Sequence, residues 1–337
     1  MKSFALALSF VTLLAAPARA QDRQFNLRFS SWVPLAHPLS GGTKTWLDSM
    51  EKASGGTIKG TLFAGEQLGK AFDHYDMARD GIADVTYINP GYQPGRFPVI
   101  AVGQIPFTFA SAAKGTAALD EWYRKYAAAE MKDTKFCLAF MHSPGTLHSR
   151  KKVVVPADMK GMKIRPAHST IGELVTMLGG TNVQASAPEA REMLERGVAD
   201  AITFPWGSMF LFGVEKTVKY HIDAPLYSTM FTFNMNPRVY ASMSAAQKKV
   251  VDDHCTTEWA VKLATPWGEF EDGGIPKMKA LADHEVYALT PAQVADWKKT
   301  IEPLRNNWRD AVRKAGVDPD AAMKELQASI ARHGAGF

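Results

Sequence analysis

The sequence predicts an α/β protein built from two similar lobes. Short apolar runs alternate with amphipathic helical segments along most of the chain, which is typical of sheets whose strands are joined by helices. The stretch 158–206 reads as strand, helix, strand, helix, strand. Subtracting a leader of 20 residues from 337 leaves about 317, a length that favours two domains over one.

The first 20 residues have the features of a secretory signal. Lys2 supplies a positive start, residues 4–16 are mostly apolar, and Ala18 and Ala20 form the small-x-small pattern of a cleavage site. We expect cleavage after Ala20 and a mature protein in an exported compartment. No later segment reaches the roughly 18–20 consecutive apolar residues that a membrane span requires.

The charge balance argues against nucleic acid as a partner. The net charge is +5, and removal of Lys2 and Arg19 with the leader lowers it to about +3. Basic residues are scattered, and the run 150–152 fits a solvated turn before a strand. A mild charge without a basic patch predicts no nucleic-acid interface.

The chain contains two cysteines, Cys137 and Cys255. Two cysteines do not make a disulfide framework, and sequence spacing does not place them within bonding distance. A bond between them and two free buried thiols both stay open. No stretch demands an oligomer, so we expect a monomer.

The first half of the chain alternates strands and helices. A buried strand is predicted where apolar residues run almost without interruption, as at 82–88. The predicted strands are 25–31, 57–63, 82–88 and 135–141, and the predicted helices are 39–54, 71–80 and 112–132.

The stretch 158–206 forms a βαβαβ unit in this interpretation. Its strands are 163–165, 181–184 and 198–204, and its helices follow the capping boxes Thr170–Glu173 and Ser186–Glu189. In open parallel sheets, ligands gather beyond the carboxyl ends of the strands. Arg165 lies at one such end, and 204–206 lies at another.

The last third is predicted to be mostly helical. Residues 228–236 alternate as a strand that could run back to the first lobe and act as a hinge. Predicted helices follow at about 244–264, 267–282 and 290–314, with a break at Pro266 and a final helix from Asp318.

The two halves share a local similarity. Residues 79–87 and 195–203 both read as a helix end, a glycine and a buried strand. The loops that follow, 89–92 and 204–207, are rich in proline, glycine and aromatic residues. If the lobes face each other, these two loops line one cleft.

Arg165 is the candidate for anion binding. A guanidinium offers a planar fork that matches a carboxylate with two hydrogen bonds. The alternative is a surface arginine in a weak ion pair.

Five aromatic residues at strand ends or in loops are candidates for a ligand pocket: Trp32, Tyr87, Tyr92, Phe204 and Trp206. Filling the core is the usual role of an aromatic side chain. Their position beside proline and glycine favours contact with a planar or apolar ligand.

Four histidines fall in loops near predicted strand ends: His37, His142, His148 and His168. They could donate hydrogen bonds to an anion, although His142 and His168 are interpreted as surface residues by default. No HExxH or HxH spacing supports a metal site. The sequence also lacks GxSxG, a P-loop, GxGxxG and CxxC, so neither a cofactor nor a reaction is predicted.

The chain resembles the extracytoplasmic solute receptors of TRAP transporters, the DctP-like family, over almost its whole mature length. The motifs that carry the resemblance are Ser54-Gly-Gly, Gln67-Leu-Gly, Gly81-Ile-Ala-Asp, Arg96-Phe-Pro with Ile105-Pro-Phe, Asp158-Met-Lys-Gly-Met-Lys-Ile-Arg, and Gly197-Val-Ala-Asp. It implies a two-lobed periplasmic binding protein fold with crossing strands, a long bridging helix and a ligand cleft between lobes that close at a hinge.

The resemblance also implies boundaries and partners. Lobe I would comprise 21–142 plus about 232–270, and lobe II 143–231 plus about 271–337. The ligand would be a small carboxylate, delivered to a permease with one small and one large membrane subunit.

The resemblance implies ligand contacts at Arg165, Asn89, Tyr92 and His148. The rest of the predicted site is inferred from residue type and position, without the resemblance, and consists of Trp32, His37, Phe204 and Trp206. Many members have Asn-Pro after the last strand of the βαβαβ unit, where this chain has Phe204-Pro205. A phenyl ring cannot replace the hydrogen bonds of an amide. We therefore expect an aromatic or hydrophobic monocarboxylate instead of a dicarboxylate or sugar acid.

Two other functions stay open from sequence. A binding protein that feeds a sensor kinase would look the same as one that feeds a permease. A periplasmic enzyme on a similar scaffold would need a nucleophile or paired carboxylates in the cleft, and the sequence nominates none.

Overall fold

The computed structural model describes residues 23–337. The predicted signal peptide, 1–20, and its cleavage after Ala20 lie outside the described residues. Within the described range, no helix combines the length and apolar character that crossing a bilayer requires.

The described residues form two sheets. Their strands are β1 Phe25–Ser30, β2 Ile58–Phe63, β3 Val85–Ile88, β4 Lys135–Met141, β5 Thr146–Ser149, β6 Lys163–Arg165, β7 Thr181–Asn182, β8 Ala201–Phe204, β9 Tyr220–Ile222, β10 Met230–Met235 and β11 Glu285–Tyr287.

Helices cover both sheets and connect the strands. They are α1 Pro38–Ala53, α2 His74–Asp80, α3 Ala112–Tyr123, α4 Ala127–Glu130, α5 Ser169–Met177, α6 Ala190–Glu195, α7 Trp206–Leu211, α8 Pro237–Ala241, α9 Ala245–His254, α10 Thr257–Asp272, α11 Gly274–Lys279, α12 Pro291–Lys299, α13 Glu302–Lys314 and α14 Pro319–His333.

The first sheet has the strand order β2-β1-β3-β10-β4. β1 runs parallel to β2 and β3, whereas β10 lies antiparallel between β3 and β4. The strand predicted at 228–236 therefore does return to the first sheet. Its side chains are buried along the whole strand, as expected for a strand covered on both faces.

The second sheet has the order β11-β9-β5-β8-β6-β7. β6 runs parallel to β7 and β8, which confirms the predicted βαβαβ unit. β5 enters antiparallel to β8 and β9. The carboxyl ends of β6 and β8 thus lie at the same edge of the sheet.

Several helix starts follow from their capping residues. Ser244 and Thr290 form capping boxes with the glutamines three residues later, and Asp318 caps α14. Thr170–Glu173 does not act as a capping box. The N-cap of α5 is His168, two residues earlier, and its ring accepts the hydrogen bond from the Ile171 amide.

Two segments cross side by side between the sheets: residues 142–145 lead from β4 to β5, and residues 223–229 lead from β9 to β10. Gly145 of the first segment pairs with Tyr227 of the second. The helix α10 also joins the sheets, because it contacts α1 and α3 on one side and α7 on the other. The expected crossing strands and bridging helix are both present, and the bridge is α10.

The bridging helix begins and continues differently from the prediction. The helix predicted from Ser244 ends at His254, and a new helix begins after Thr256, whose hydroxyl accepts from the Trp259 amide. α10 continues through Pro266, which is exposed. Water can satisfy the backbone carbonyl that proline leaves without a donor there, so the helix does not break.

Two longer predicted helices are divided. The segment 112–132 separates into α3 and α4, and 290–314 separates into α12 and α13, with Pro303 in the first turn of α13. Proline is well tolerated at this position because the first amides of a helix have no intrahelical acceptor.

The C-terminal part does not stay with one sheet. β11 pairs with β9 in the second sheet. In α14, Ser329 Oγ donates to the Ala118 carbonyl at 2.9 Å, and Trp122 Nε1 donates to the Ala322 carbonyl at 3.0 Å. The expected assignment of all of 271–337 to the second lobe therefore does not describe α14, which packs on α3 beside the first sheet.

Cys137 and Cys255 form a disulfide, with their Cα atoms 4.5 Å apart. The bond connects β4 to the residue just before the bridging helix begins. It resolves the alternative that the sequence left open and fixes the start of α10 against the first sheet.

Candidate functional site

The candidate site is a cavity between the two sheets, at the carboxyl ends of β3, β6 and β8. The loops that follow β3 and β8 both line it, through Asn89 and Tyr92 on one side and Phe204 and Pro205 on the other. The two loops singled out by their sequence similarity do face one cleft.

The cavity has a volume of about 40 Å³. Small-molecule sites begin at roughly 300 Å³, so the walls of this cavity lie close together in this structure.

Arg165 is held in the wall of this cavity by its strand. It is the last residue of β6, pairs in register with Ile202 of β8, and is 1% exposed. Pro166 follows and ends the strand. A long charged side chain is seldom this buried unless it has a specific partner.

Three hydrogen bonds orient the Arg165 guanidinium. Nε donates to the Ala185 carbonyl at 2.9 Å, Nη1 to the Thr203 carbonyl at 3.5 Å, and Nη2 to the Tyr92 hydroxyl at 3.2 Å. Guanidinium has five N–H groups, so one on each terminal nitrogen is not used by these bonds. A pair of parallel donors is the arrangement that a carboxylate binds best.

The charge of Arg165 has no acidic counterpart close by. Within residues 23–337, no carboxylate lies within 4.0 Å of its guanidinium, and the cavity lining contains no Asp or Glu. An unpaired buried charge is costly. An anionic ligand would supply the missing partner.

Tyr92 connects the two lobes at this point. Its hydroxyl oxygen accepts from Arg165 and, at 2.9 Å, from the Ala187 amide. Burial raises the pKa of Tyr92, so the hydroxyl stays protonated at neutral pH. With two donors already at its oxygen, Tyr92 can still donate its own proton.

Aromatic rings form much of the remaining wall. Trp32 stacks on Tyr87 with ring centroids 4.7 Å apart, and Phe231 packs on Trp267 at 5.0 Å. The Phe204 ring lies 5.5 Å from the Arg165 guanidinium carbon. A planar apolar group placed next to Arg165 would be surrounded by these rings.

Three polar atoms in the cavity wall are buried without a hydrogen-bond partner among the described residues: Trp32 Nε1, Tyr227 Oη and Thr229 Oγ1. Buried polar groups are nearly always paired. Their position around one cavity is consistent with a polar ligand that completes their bonding.

Two neutral histidines also line the cavity. Burial lowers the pKa of His37 to about 3, with a further contribution from His142. Burial lowers the pKa of His142 to about 4. Both rings are uncharged at neutral pH, so Arg165 carries the positive charge of the cavity wall.

Six of the eight predicted site residues line the cavity, namely Trp32, His37, Asn89, Tyr92, Arg165 and Phe204. His148 and Trp206 do not. Pro205 turns the chain into α7, so the Trp206 ring packs behind the wall against His148, with centroids 4.9 Å apart.

His148 is part of a chain of three histidines instead. Its Nε2 lies 3.1 Å from the Phe204 carbonyl, and its Nδ1 lies 2.8 Å from Nδ1 of His221. Nε2 of His221 lies 2.9 Å from Nδ1 of His284. Both nitrogens of His148 are occupied within the protein, so His148 supports the carbonyl of Phe204 from behind and does not reach the cavity.

His142 and His168 are buried, not surface residues as expected. Each is 2% exposed. His142 follows β4 in the first crossing segment, and His168 caps α5. A crossing segment of a two-lobed protein necessarily passes beside the cleft, which is a signal that could have identified His142.

Sequence reasoning did not select several further residues that line the cavity. Most belong to the crossing segments, the bridging helix or α7 and its flanking loops. They are Val33, His142, Ala167, Ala187, Pro205, Ser208, Phe212, Tyr227, Thr229, Phe231 and Trp267. The strand predicted at 228–236 had located part of this set without assigning it to the site.

A larger recess lies beyond Tyr92, between the 90–98 loop, α5 and α13. It shares only Tyr92 with the cavity described above and does not include Arg165. We assign the ligand site to the smaller cavity because the guanidinium and the aromatic rings meet there. Within residues 23–337, no group of three or more His, Cys, Asp or Glu side chains is arranged to hold a metal ion.

The protein has two lobes, joined by crossing segments and a bridging helix, with a buried cationic group between them. This arrangement defines a bilobed ligand-binding protein. Residues 29–310 match the family model of bacterial extracellular solute-binding proteins, family 7 (DctP). The chain belongs to this family, as its motifs had indicated.

Solved structures support the same fold. One is a TRAP solute-binding protein from a marine metagenome (unidentified microbe), which is specific for aromatic acid ligands and is in complex with metahydroxyphenylacetate. It matches with a TM-score of 0.85 at 30% identity, over 92% of this chain and 99% of that one. A TRAP solute-binding protein from Rhodoferax ferrireducens with copurified benzoate has a TM-score of 0.86 at 25% identity, over 92% and 99%.

A third, from Bordetella bronchiseptica with bound (R)- and (S)-mandelate, has a TM-score of 0.85 at 25% identity, over 91% of this chain and 99% of that one. The predicted two-lobed α/β fold is confirmed.

Proposed function

We propose that this protein is a periplasmic receptor that captures an aromatic monocarboxylate by hinge closure and delivers it to a TRAP-type permease with a small and a large membrane subunit. We propose that it releases the ligand chemically unchanged. The observation that carries this proposal is Arg165, buried at 1% exposure with two unused N–H groups and no carboxylate within 4.0 Å among the described residues.

The aromatic character of the ligand is supported by the walls of the cavity. Phe204 stands where many family members have an asparagine, and its ring lies beside the Arg165 guanidinium. Trp32, Phe231 and Trp267 enclose the rest of the space. The three structural neighbours hold aromatic acids, which agrees with this chemistry.

A single carboxylate is supported by the charge in the cavity wall. Arg165 is the cation there, because His37 and His142 are kept neutral by burial. A dicarboxylate would bring a second negative charge into a site whose lining contains one cation, Arg165. Burying that charge without a partner would cost several kcal/mol.

The test is ligand-induced stabilisation of residues 21–337, measured by thermal shift and calorimetry with benzoate and succinate. Benzoate at 100 times its dissociation constant should stabilise the protein by about 2.7 kcal/mol. In Arg165→Met, loss of the charge-assisted pair should weaken binding about 100-fold and leave about 0.4 kcal/mol of stabilisation at the same concentration.

Two control variants separate the charge from its geometry. Arg165→Lys keeps a positive charge but loses the planar fork, so it should bind benzoate more weakly than wild type. Arg196→Met removes an exposed arginine that pairs with Glu192 on the surface and should bind like wild type. Stabilisation by benzoate that persists in Arg165→Met would refute the assigned anion site, and stabilisation by succinate alone would refute the aromatic ligand.

A further inference from the structure

Two histidines with opposite tautomers line the same cavity. His37 follows β1 and His142 follows β4, and both line the cavity. Both rings pack edgewise on Trp267, with centroid separations of 4.9 and 5.6 Å. Each is 2% exposed, so both rings are shielded from bulk water.

The tautomer of His37 follows from its role at the start of α1. Its Nδ1 lies 3.1 Å from the Leu39 amide nitrogen. A backbone N–H can only donate, so Nδ1 of His37 must carry the lone pair. The ring is neutral at pH 7 because burial lowers its pKa to about 3. Its single proton is therefore on Nε2, which is a donor.

The tautomer of His142 is the opposite one. Its Nδ1 lies 2.5 Å from the Ser143 carbonyl oxygen. A carbonyl can only accept, so Nδ1 of His142 carries the proton. Burial lowers the pKa of this ring to about 4, so it is also neutral. Its Nε2 is therefore an acceptor.

Neither Nε2 is used by the protein. Among residues 23–337, the hydrogen bonds of these two rings are made by their Nδ1 atoms. The residues that line the cavity thus include one ring with an unused donor and one ring with an unused acceptor.

We infer that the acid bound in this cavity carries a hydroxyl group, which accepts a hydrogen bond from His37 Nε2–H and donates its own proton to His142 Nε2. This rests on the proposed function and makes its ligand a hydroxylated aromatic monocarboxylate. A hydroxyl satisfies both atoms at once. A methoxy oxygen would satisfy His37 alone, and a methyl group would leave both unpaired.

The experiment compares matched ligands by calorimetry on residues 21–337. The three isomeric hydroxybenzoates are titrated beside the methyl and methoxy analogues of each. A site built to bind a hydroxyl discriminates strongly against analogues that lack it. The best hydroxybenzoate should bind at least about tenfold more tightly than its methyl analogue, with the methoxy analogue between them.

Asparagine variants isolate the unused atoms. In His37→Asn, the shorter side chain can still cap α1, and in His142→Asn the amide can still donate to the Ser143 carbonyl, but neither reaches the position of Nε2. In both, the hydroxyl-to-methyl affinity ratio should fall to within about twofold of unity. His142→Gln places an amide near the Nε2 position and should restore part of the ratio.

A general structural effect of these variants would weaken both members of a ligand pair together and leave the ratio unchanged. That result, or a wild-type ratio near one, overturns the inference. The receptor function would still stand in either case, because aromatic acids would still bind. Binding of none of these acids would overturn both. Ring ¹⁵N NMR of wild type needs no variant: the hydroxy acid, but not its methyl analogue, should shift Nε2 of His142.

Discussion

Replacing His168 with asparagine isolates the acid sensitivity that the buried histidines impose on folding. His168 is 2% exposed and caps α5 by accepting from the Ile171 amide. Burial, together with the neighbouring His142 and Arg165, lowers its pKa to about 3. Asparagine is also a good N-cap, so this change removes the titrating group and keeps the cap.

The expected magnitude follows from proton linkage. An unfolded histidine has a pKa near 6.5, so between pH 6.5 and about 3 the unfolded chain binds a proton at His168 that the folded protein does not. Stability therefore falls as the pH falls through this window. At pH 5, about 1.5 pH units below the unfolded pKa, the loss from this one residue is about 2 kcal/mol.

Urea unfolding followed by tryptophan fluorescence measures the effect at pH 7.5 and pH 5. The stability difference between His168→Asn and wild type should move by about 2 kcal/mol in favour of the variant on going to pH 5. Burial raises the pKa of Glu271 to about 7 and that of Glu130 to about 6, so these groups change the stability in the opposite direction as the pH falls. Their contributions cancel when the variant is compared with wild type. A difference that stays constant to within about 0.5 kcal/mol would show that His168 is not held neutral.

Two further predictions concern the disulfide and the aromatic wall. Replacing both Cys137 and Cys255 with alanine opens a covalent loop of 118 residues, and chain-entropy reasoning gives a loss of up to about 5 kcal/mol in the free energy of unfolding. The wild type under reducing conditions should be as stable as this variant. Equal stability of the oxidised and reduced wild type would contradict a formed bond. Phe204→Asn removes the ring beside Arg165 and should weaken benzoate binding about 10- to 100-fold, since burying such a ring contributes about 1.5–3 kcal/mol. Calorimetry should show a smaller loss of affinity for a polar hydroxy acid such as lactate. Equal losses of affinity for both ligands would contradict the role assigned to the ring.

The sequence predicted best where short-range chemistry decides the structure. β4 and β6 have the predicted bounds because an apolar run ends at a clear signal, as at Pro166. Capping boxes at Ser244 and Thr290 also appear as predicted. Local hydrogen bonds at these positions do not depend on the rest of the fold.

Errors arose where solvent exposure or a distant partner decides the outcome. Pro266 did not end α10, because its exposed position lets water replace the lost hydrogen bond. His148 was placed in the site because it precedes the Lys163–Arg165 strand, but both of its nitrogens bind within the second sheet. The partner, His221, is 73 residues away, and no local pattern could reveal it.

The lining of the cavity was predicted in part. Arg165, Tyr92 and Phe204 were selected because they follow strand ends at the edge where α/β sheets bind ligands, and all three line the cavity. The crossing segments contributed His142, Tyr227 and Thr229, which have no distinguishing motif. Their role depends on two separated parts of the chain running side by side at the hinge.

The same burial that makes Arg165 a good anion site also explains why closure should depend on the ligand. With the lobes together, Tyr92 of the first lobe meets Arg165 and Ala187 of the second, and the guanidinium is removed from water without an acidic partner among the described residues. If the lobes closed without a carboxylate, the Tyr92 hydrogen bonds would stabilise the closed form, but the unpaired buried charge of Arg165 would destabilise it. A bound carboxylate removes that cost in the closed form and gains little in the open form, where Arg165 is hydrated. A ligand shifts a conformational equilibrium only by its difference in affinity for the two states. We propose that Arg165 provides that difference, so that the residue proposed to recognise the acid would also couple recognition to closure.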